Sequence, residues 1–311
     1  MEKPSAMTLN IFFSEFMLPR IKQEKRSWLS DCQRFEKLIG PHLGHLPLSG
    51  VTRYHVQKFL DFMVARGSAP GTVKQYIGIV RRIFNIAAET EAGEALVFTG
   101  QNPVQGIRLP VVRNNRDRFL SGEEAERLIS AASKLRNLDL HDAIILSLNT
   151  GLRLGELRRL IWLDVDFNSG LVSVRDEAHR KPGGKVPLNA AAEGVLRKRK
   201  GSAEAADLVF PPIHGRHLRE NLSYEFHRLA DQLGLNKGLA PNDRQRRVVF
   251  HTLRHTFASW LALAGVDIYR IKTLMRHKTI DMTMRYAHLL PDATRQAVCS
   301  LTPPKASQTR F

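Results

Sequence analysis

The segment TGLRLGEL, residues 150–157, places a glycine shortly before an arginine at the predicted start of a helix. At that position Arg153 lies where the free backbone N–H groups of a helix N-terminus already favour an anion. The segment therefore indicates an anion-binding side chain. Taken alone, such a pattern more commonly means an arginine that pairs with Glu156 on a surface turn.

The segment HTLRH, residues 251–255, is a second basic cluster. A spacing of three residues stacks His251 and Arg254 on one helical face, so that both can contact a single phosphate. His255 is expected to point elsewhere. The two histidines, four residues apart, also have the spacing of a zinc-binding pair, but no glutamate follows the first one as in a zinc-protease helix. We therefore predict no metal site here.

Two further segments follow: LMRH ends at His277, and RYAH contains Tyr286. A phosphodiester is an anion that repels nucleophiles, and fixed guanidinium groups stabilise the additional charge of its transition state. A tyrosine, with a pKa of about 10, becomes a good nucleophile only when a neighbour withdraws its proton. The leaving oxygen needs an acid such as lysine or histidine. A lone tyrosine in a helix, however, nearly always serves packing, so these segments by themselves do not assign such a role to Tyr286.

In their joint order and spacing, the segments TGLRLGEL, HTLRH, LMRH and RYAHL resemble the signature of the tyrosine recombinases, also called phage integrases. The N-terminal part is similar to the core-binding domain of the same family, so the resemblance covers nearly the whole chain. It implies a mainly α fold with a small β-sheet: a helical core-binding domain and a mixed α+β catalytic domain. The implied activity is site-specific DNA recombination through a 3′-phosphotyrosine intermediate.

The resemblance implies a role for each matching residue. Arg153 and Arg254 would clamp the non-bridging oxygens of the scissile phosphate, and His277 would hydrogen-bond to it. His251 would assist proton transfer. Tyr286 would attack phosphorus and become the 3′-phosphotyrosine.

Further positions follow from the same resemblance. Glu156 matches an accessory acidic residue that buttresses the active-site arginine. The general-acid lysine of the β-hairpin falls on Lys181 in RKPGGK, residues 180–185, with Lys185 as the alternative. Family members usually have glycine where this chain has Arg276. If that position needs a positive φ, arginine costs about 1 kcal/mol there; we expect instead a slightly different helix end and a harmless variation.

Composition supports a nucleic-acid partner. The 311 residues include 47 Lys plus Arg against 30 Asp plus Glu, a formal net charge of +17 that is positive in both halves of the chain. Such a charge is costly in self-repulsion unless a polyanion offsets it. Cys32 and Cys299 are too far apart for a metal spacing and predict no disulfide framework. We find no signal peptide and no run of about 18 apolar residues, and therefore expect a cytoplasmic protein that is nucleoid-associated when bound to DNA.

Hydrophobic spacing predicts helices without β structure over residues 8–110, and the prolines, asparagines and arginines of residues 101–118 predict an extended basic linker across the end of that range. We place the domain boundary near Asn114, with a core-binding, DNA-binding domain at 1–113 and a catalytic domain with a C-terminal tail at 114–311. Four basic side chains are candidate phosphate contacts, the first two on one helical face and the last two in the linker: Lys74, Arg81, Arg113 and Arg116.

In the catalytic part, a capping-box spacing at residues 121–124 predicts the start of a helix, and a second helix over 140–149 stops at Gly151. The alternating segment LVSVR, residues 171–175, and residues 185–188 predict paired strands. A further candidate strand is 207–210. The remaining chain is predicted to be helical.

The resemblance implies double-stranded DNA with specific recombination sites as the partner. The DNA would lie in a clamp formed by the two domains, with a homodimer on one site, a tetramer in the synapse and accessory proteins that set direction. It implies no cofactor, metal or membrane. A DNA-relaxing enzyme of the type IB topoisomerase kind and a catalytically inactive DNA-binding regulator are the alternatives. The target sequence, cis or trans cleavage and the biological role (dimer resolution, prophage, island or transposon) stay open at this stage.

Overall fold

The structure is a computed structural model that describes residues 7–93, 95–111, 118–175, 183–211, 218–240, 243 and 245–291. The predicted site residues Lys181, Arg113 and Arg116 lie outside these ranges, as does Cys299. The chain divides into two compact units, of which the first ends at Asn114 and the second begins at Asn115. No helix in the described ranges is both long and apolar enough to span a membrane.

The first unit is built mainly from helices, of which α5 and α6 are the long ones. In chain order they are α1 (Leu9–Phe12), a π-helical turn (Phe13–Met17), α2 (Leu18–Glu24), α3 (Trp28–Arg34), a second π-helical turn (Phe35–Ile39), α4 (Gly40–Leu43), α5 (Arg53–Ala65) and α6 (Pro70–Ala87). The predicted apolar faces of α5 and α6 are confirmed, because Phe59, Met63, Ile77 and Val80 lie in one buried core.

Two expectations for the first unit were wrong. Strand β1 (Glu91–Ala92) pairs antiparallel with β2 (Ala95–Leu96), although no β structure is predicted there. Strands of two residues are too short for an alternating pattern to show in the sequence. Val104 and Ile107 lie in the core at 0% and 8% exposure, so the chain up to Ile107 belongs to the helical unit and is not an extended linker.

The second unit combines helices with a small antiparallel sheet. Its helices are α7 (Gly122–Ala132), α8 (Asp139–Thr150), α9 (Leu154–Leu157), α10 (Ala190–Lys200), α11 (Leu218–Gln232), α12 (Phe250–Leu263), α13 (Ile268–Met275) and α14 (Asp281–Met284). Helix α8 packs against both α10 and α12. The predicted capping box is confirmed, since Ser121 and Glu124 exchange side chain-to-backbone hydrogen bonds of 3.1 and 3.0 Å.

The sheet has the strand order β3 (Val165–Asp166), β4 (Leu171–Val174) and β5 (Gly184–Pro187). Val172 pairs with Val186, and both side chains are fully buried, which fixes the register of the two predicted strands. The candidate strand at 207–210 was wrong. It forms an isolated bridge between Leu208 and Ile161, because the chain facing it continues as a 3-10 helix.

Arg199 of α10 neutralises buried carboxylates. Its guanidinium donates to Asp142 Oδ2 at 2.7 Å and to Asp139 Oδ1 at 2.8 Å, and it lies 4.3 Å from the ring centre of Phe210. Removing one partner of a buried ion pair leaves an uncompensated charge, which typically costs about 3–5 kcal/mol. We expect Arg199→Ala to lower the free energy of unfolding by about 3 kcal/mol or more, measured by chemical denaturation of the full chain.

Arg270→Ala is the matched control. Arg270 pairs with Asp267 at 3.1 Å, but 82% of its side chain is exposed. Exposed ion pairs contribute about 0–1 kcal/mol, so this variant should stay close to the wild-type stability. Equal losses for the two variants would contradict the role assigned to Arg199.

Candidate active site

The second unit contains a fully buried arginine that links the ends of two other helices. Arg254 lies on α12 with 2% exposure, and its Nη1 donates to the carbonyl of Gly151 at 2.5 Å. Its Nη2 donates to the carbonyl of Met275 at the end of α13. Burial lowers the pKa of Arg254 to about 9, helped by the like charges of Arg153 and Arg276. At neutral pH the guanidinium is therefore still positively charged.

Gly151 is required by the geometry of this contact. It ends α8 in the left-handed region, with φ 63°, where glycine avoids the strain of a side chain. A β-carbon there would come within 2.6 Å of Phe257 Cδ1. The glycine break predicted from the sequence thus lets the chain turn closely past α12 and places Arg153 at the N-cap of α9.

Glu156 shares its carboxylate between two arginines. Its Oε1 accepts from Arg153 Nη1 at 2.6 Å, while its Oε2 accepts from the backbone N–H of Arg153 at 2.9 Å and from Arg276 Nη2 at 2.7 Å. Burial alone would raise the pKa of Glu156, but the guanidinium groups of Arg276 and Arg153 outweigh burial and hold it below its usual range. The carboxylate is therefore ionised and fixes both guanidinium groups.

The backbone conformation of Arg276 differs from the expectation. The helix end was expected to avoid a positive φ, but Arg276 has φ 51° and ψ 48° and is the non-glycine residue with positive φ in the described ranges. Its side chain is 2% exposed, and Nε has no hydrogen-bond partner. The ion pair with Glu156 offsets the backbone strain and the burial of charge, so the arginine is a structural part of the site and not a harmless variation.

His277 follows Arg276 and is partly buried. Its Nδ1 lies 2.8 Å from Thr283 Oγ1. Burial lowers the pKa of His277 to about 3, and the positive charges of Arg254 and Arg153 act in the same direction. The ring is therefore neutral at physiological pH. Through its protonated nitrogen it can donate a hydrogen bond to a phosphate, the role that the resemblance implies, but it does not supply a positive charge.

Tyr286 lies in a small apolar cluster with Phe257, Ile271 and Met275, and it is 4% exposed. Burial raises the pKa of Tyr286 to about 12, although nearby positive charges, among them Arg254, act against this. The phenol is therefore protonated at neutral pH.

His255 was expected to point away from the site, and this was wrong. Its Nδ1 lies 2.6 Å from Tyr286 Oη, and its ring stands edge-on to that of the exposed His251 at 4.8 Å between centres. On a helix, residues three and four positions apart share a face, so His251, Arg254 and His255 all belong to the same side. The spacing that paired His251 with Arg254 could equally have included His255.

The lysine assignment stays a prediction. Lys181 lies outside the described residues, and the alternative Lys185 is exposed on β5, opposite Ser173 of β4. A β-carbon at Gly184 would meet Arg276 Cγ at 3.4 Å, so the start of β5 lies next to the buried arginine. The start of the strand that carries Lys185 is thus beside the site.

The candidate phosphate contacts of the first unit also stay predictions. Lys74 and Arg81 are exposed on α6, with the exposed Gly78 between them and open space where its side chain would be. Arg113 and Arg116 lie outside the described residues. In the ranges that the structure covers, no three His, Cys, Asp or Glu side chains are grouped so that they could hold a metal ion.

Comparison with known proteins gives the family. The sequence profile of the phage integrase family matches residues 118–292, which is more than half of the chain. The tyrosine recombinase XerC of Xanthomonas campestris pv. campestris is 32% identical over 242 residues, which cover 75% of this chain and 69% of that protein. The chain belongs to the phage integrase family. The resemblance carried by the four motifs is thereby confirmed.

Another relative, the integrase of Haemophilus phage HP1, is 28% identical over 241 residues, or 76% of this chain and 62% of that integrase. The match therefore spans less than two thirds of this relative. In structure, a Tn1549 transposon integrase in complex with a circular intermediate DNA has a TM-score of 0.73 at 19% identity, over 95% of this chain and 100% of that chain. This likeness confirms the predicted fold class, mainly helical with a small antiparallel sheet.

The shared carboxylate predicts coupling between Glu156 and Arg276. Glu156→Gln leaves a buried guanidinium without its charge partner and should cost about 3–5 kcal/mol of unfolding free energy. The same change should cost less in an Arg276→Gly background, because glycine removes the buried charge and adopts the positive φ without strain. We expect a coupling energy of at least about 1 kcal/mol in a double-mutant cycle measured by chemical denaturation. Additive losses would show that the ion pair does not offset the burial of Arg276.

Proposed function

We propose that this protein is a site-specific DNA recombinase that cleaves and rejoins DNA strands through a 3′-phosphotyrosine intermediate. The observation that carries the proposal is the convergence of Arg153, Arg254 and His277 beside Tyr286. The charges of both arginines act on His277, and that of Arg254 acts on the phenol, which supports a common site. Membership in the phage integrase family supports the same activity.

The chemistry divides among these groups. Arg254 uses two of its donors on backbone carbonyls, and a guanidinium has further N–H groups for the non-bridging oxygens of a phosphate. Arg153 is held by Glu156 and adds a second fixed charge. Because these groups are already oriented, they stabilise the charge of the transition state without reorganising. Neutral His277 adds a hydrogen bond, and a lysine of the hairpin, by the resemblance Lys181, protonates the leaving 5′ oxygen.

Double-stranded DNA with specific recombination sites is the partner in this proposal. The net charge of +17 supports it, as does the Tn1549 integrase with the same fold, which was solved in complex with DNA. A dimer on one site, a tetramer in the synapse and accessory proteins that set direction complete the proposal. Exchange of strands, unlike relaxation of supercoils, needs such an assembly of protomers.

Replacing the nucleophile separates cleavage from binding. We expect Tyr286→Phe to abolish covalent attachment to nicked duplexes taken from the DNA that flanks the encoding gene, because the ring keeps its packing while the attacking oxygen is lost. DNA binding in a gel-shift assay should stay nearly unchanged. Tyr269→Phe is the matched control, since Tyr269 is 71% exposed on α13. A covalent adduct that persists in the Tyr286 variant would remove this residue from the mechanism.

Salt dependence tests the contacts from the first unit. Each phosphate that the protein neutralises contributes about 0.9 to the slope of log K against log salt. We expect Lys74→Ala and Arg81→Ala each to reduce the measured slope by about this amount. Arg20→Ala serves as the control, because Arg20 already pairs with Glu24 at 2.9 Å and Glu89 at 3.1 Å. Unchanged slopes for Lys74→Ala and Arg81→Ala would exclude α6 from the DNA interface.

A further inference from the structure

A histidine to which the resemblance assigns no role lies within hydrogen-bond distance of the hydroxyl of Tyr286. His255 Nδ1 and Tyr286 Oη lie 2.6 Å apart, and the two residues are 7% and 4% exposed. His255 follows Arg254 directly on α12, so the helix that positions the buried guanidinium also positions this imidazole. A nucleophile and a base within hydrogen-bond distance form the arrangement by which weak hydroxyl nucleophiles are activated.

The tautomer of His255 decides which way the proton can move. A neutral imidazole has one nitrogen that donates and one that accepts, so a proton on Nε2 leaves Nδ1 of His255 as the acceptor. The phenolic O–H of Tyr286 is then the donor. We propose that His255 accepts the proton of Tyr286 as the phenol oxygen attacks phosphorus, an inference that rests on the proposed recombinase function.

The proton transfer accompanies the exchange of one bond at phosphorus for another. The O–H bond of Tyr286 breaks and its proton moves to His255 Nδ1, while the bond between the phenol oxygen and phosphorus forms. The bond from phosphorus to the 5′ oxygen breaks, and that oxygen takes a proton from the general acid. In the rejoining step a 5′-hydroxyl displaces the phenol oxygen, which recovers its proton from the imidazolium of His255.

The surrounding charges explain why the proton transfer accompanies the attack. Burial raises the pKa of Tyr286 to about 12, so a phenolate is rare at neutral pH. The positive charges of Arg285 and Arg254 favour a phenolate but do not outweigh burial. His251, also on α12, contacts the ring of His255 edge-on. The phenol therefore keeps its proton until the forming bond to phosphorus makes it more acidic.

The first test replaces the base by an amide of similar size. His255→Gln can still contact the phenol but accepts no proton at neutral pH. We expect covalent adduct formation to slow by about 10²-fold or more in single-turnover assays on nicked duplexes from the DNA flanking the encoding gene. DNA binding should stay unchanged, which shows that the variant is folded. His227→Gln is the control, because His227 lies on α11 with a half-exposed side chain paired with Asp231, and wild-type rates are expected.

A second test separates proton acceptance from a packing role. In the His255→Gln background, 3,5-difluorotyrosine at position 286 has a more acidic phenol and should recover most of the lost rate. A 5′-bridging phosphorothiolate, whose leaving sulfur needs no acid, should rescue Lys181→Ala but not His255→Gln. The phosphorothiolate experiment therefore distinguishes loss of the base from loss of the acid.

Several results would overturn the inference. A His255→Gln rate equal to or above that of the wild type would mean that His255 only holds the phenol in its buried position. A defect that difluorotyrosine leaves unchanged, or that the phosphorothiolate removes, would mean that His255 acts by packing or on the leaving group. If the wild-type protein itself formed no adduct, the recombinase proposal would fail and the inference with it, a result distinct from the other three.

Discussion

Arg254 carries a positive charge where water does not reach, and the backbone carbonyls of Gly151 and Met275 take the place of its hydration. Because each carbonyl ends a different helix, the guanidinium can be buried only when α8, α12 and α13 are correctly packed. The same contacts bring Arg153, two residues after Gly151, and His277, two residues after Met275, near Arg254, whose charge acts on His277. The fold of the second unit and the geometry of its site therefore depend on one desolvated side chain.

Charge balance around this arginine rests on Glu156. One buried carboxylate serves Arg153 and Arg276, and the positive charges of the site exceed the negative ones. Such an excess of positive charge destabilises the protein without a ligand but favours the binding of a negatively charged group. In DNA that group is the phosphodiester. Arg276 strengthens this excess at the cost of a strained backbone.

The sequence was informative where short-range rules apply. Helical spacing predicted the buried faces of α5 and α6, and turn chemistry predicted the capping box at Ser121 and the stop at Gly151. It failed where distant segments decide the outcome. One example is the burial of Val104 and Ile107 in the helical core. Two others are the ion pair between Glu156 and Arg276, 120 positions apart, and the contact between His255 and Tyr286, 31 positions apart. No local pattern encodes such pairs.

If the groups around Arg254 form the site of strand cleavage, the oxygen of Tyr286 becomes joined to the 3′ end of the cut DNA. Mass spectrometry of the purified adduct, after nuclease and trypsin digestion, identifies the linked side chain directly. We expect the peptide released by cleavage after Arg285 and Arg295 to carry a nucleotide on Tyr286 through its 3′-phosphate. A nucleotide on another tyrosine, such as Tyr269, or one linked through a 5′-phosphate, would contradict this account.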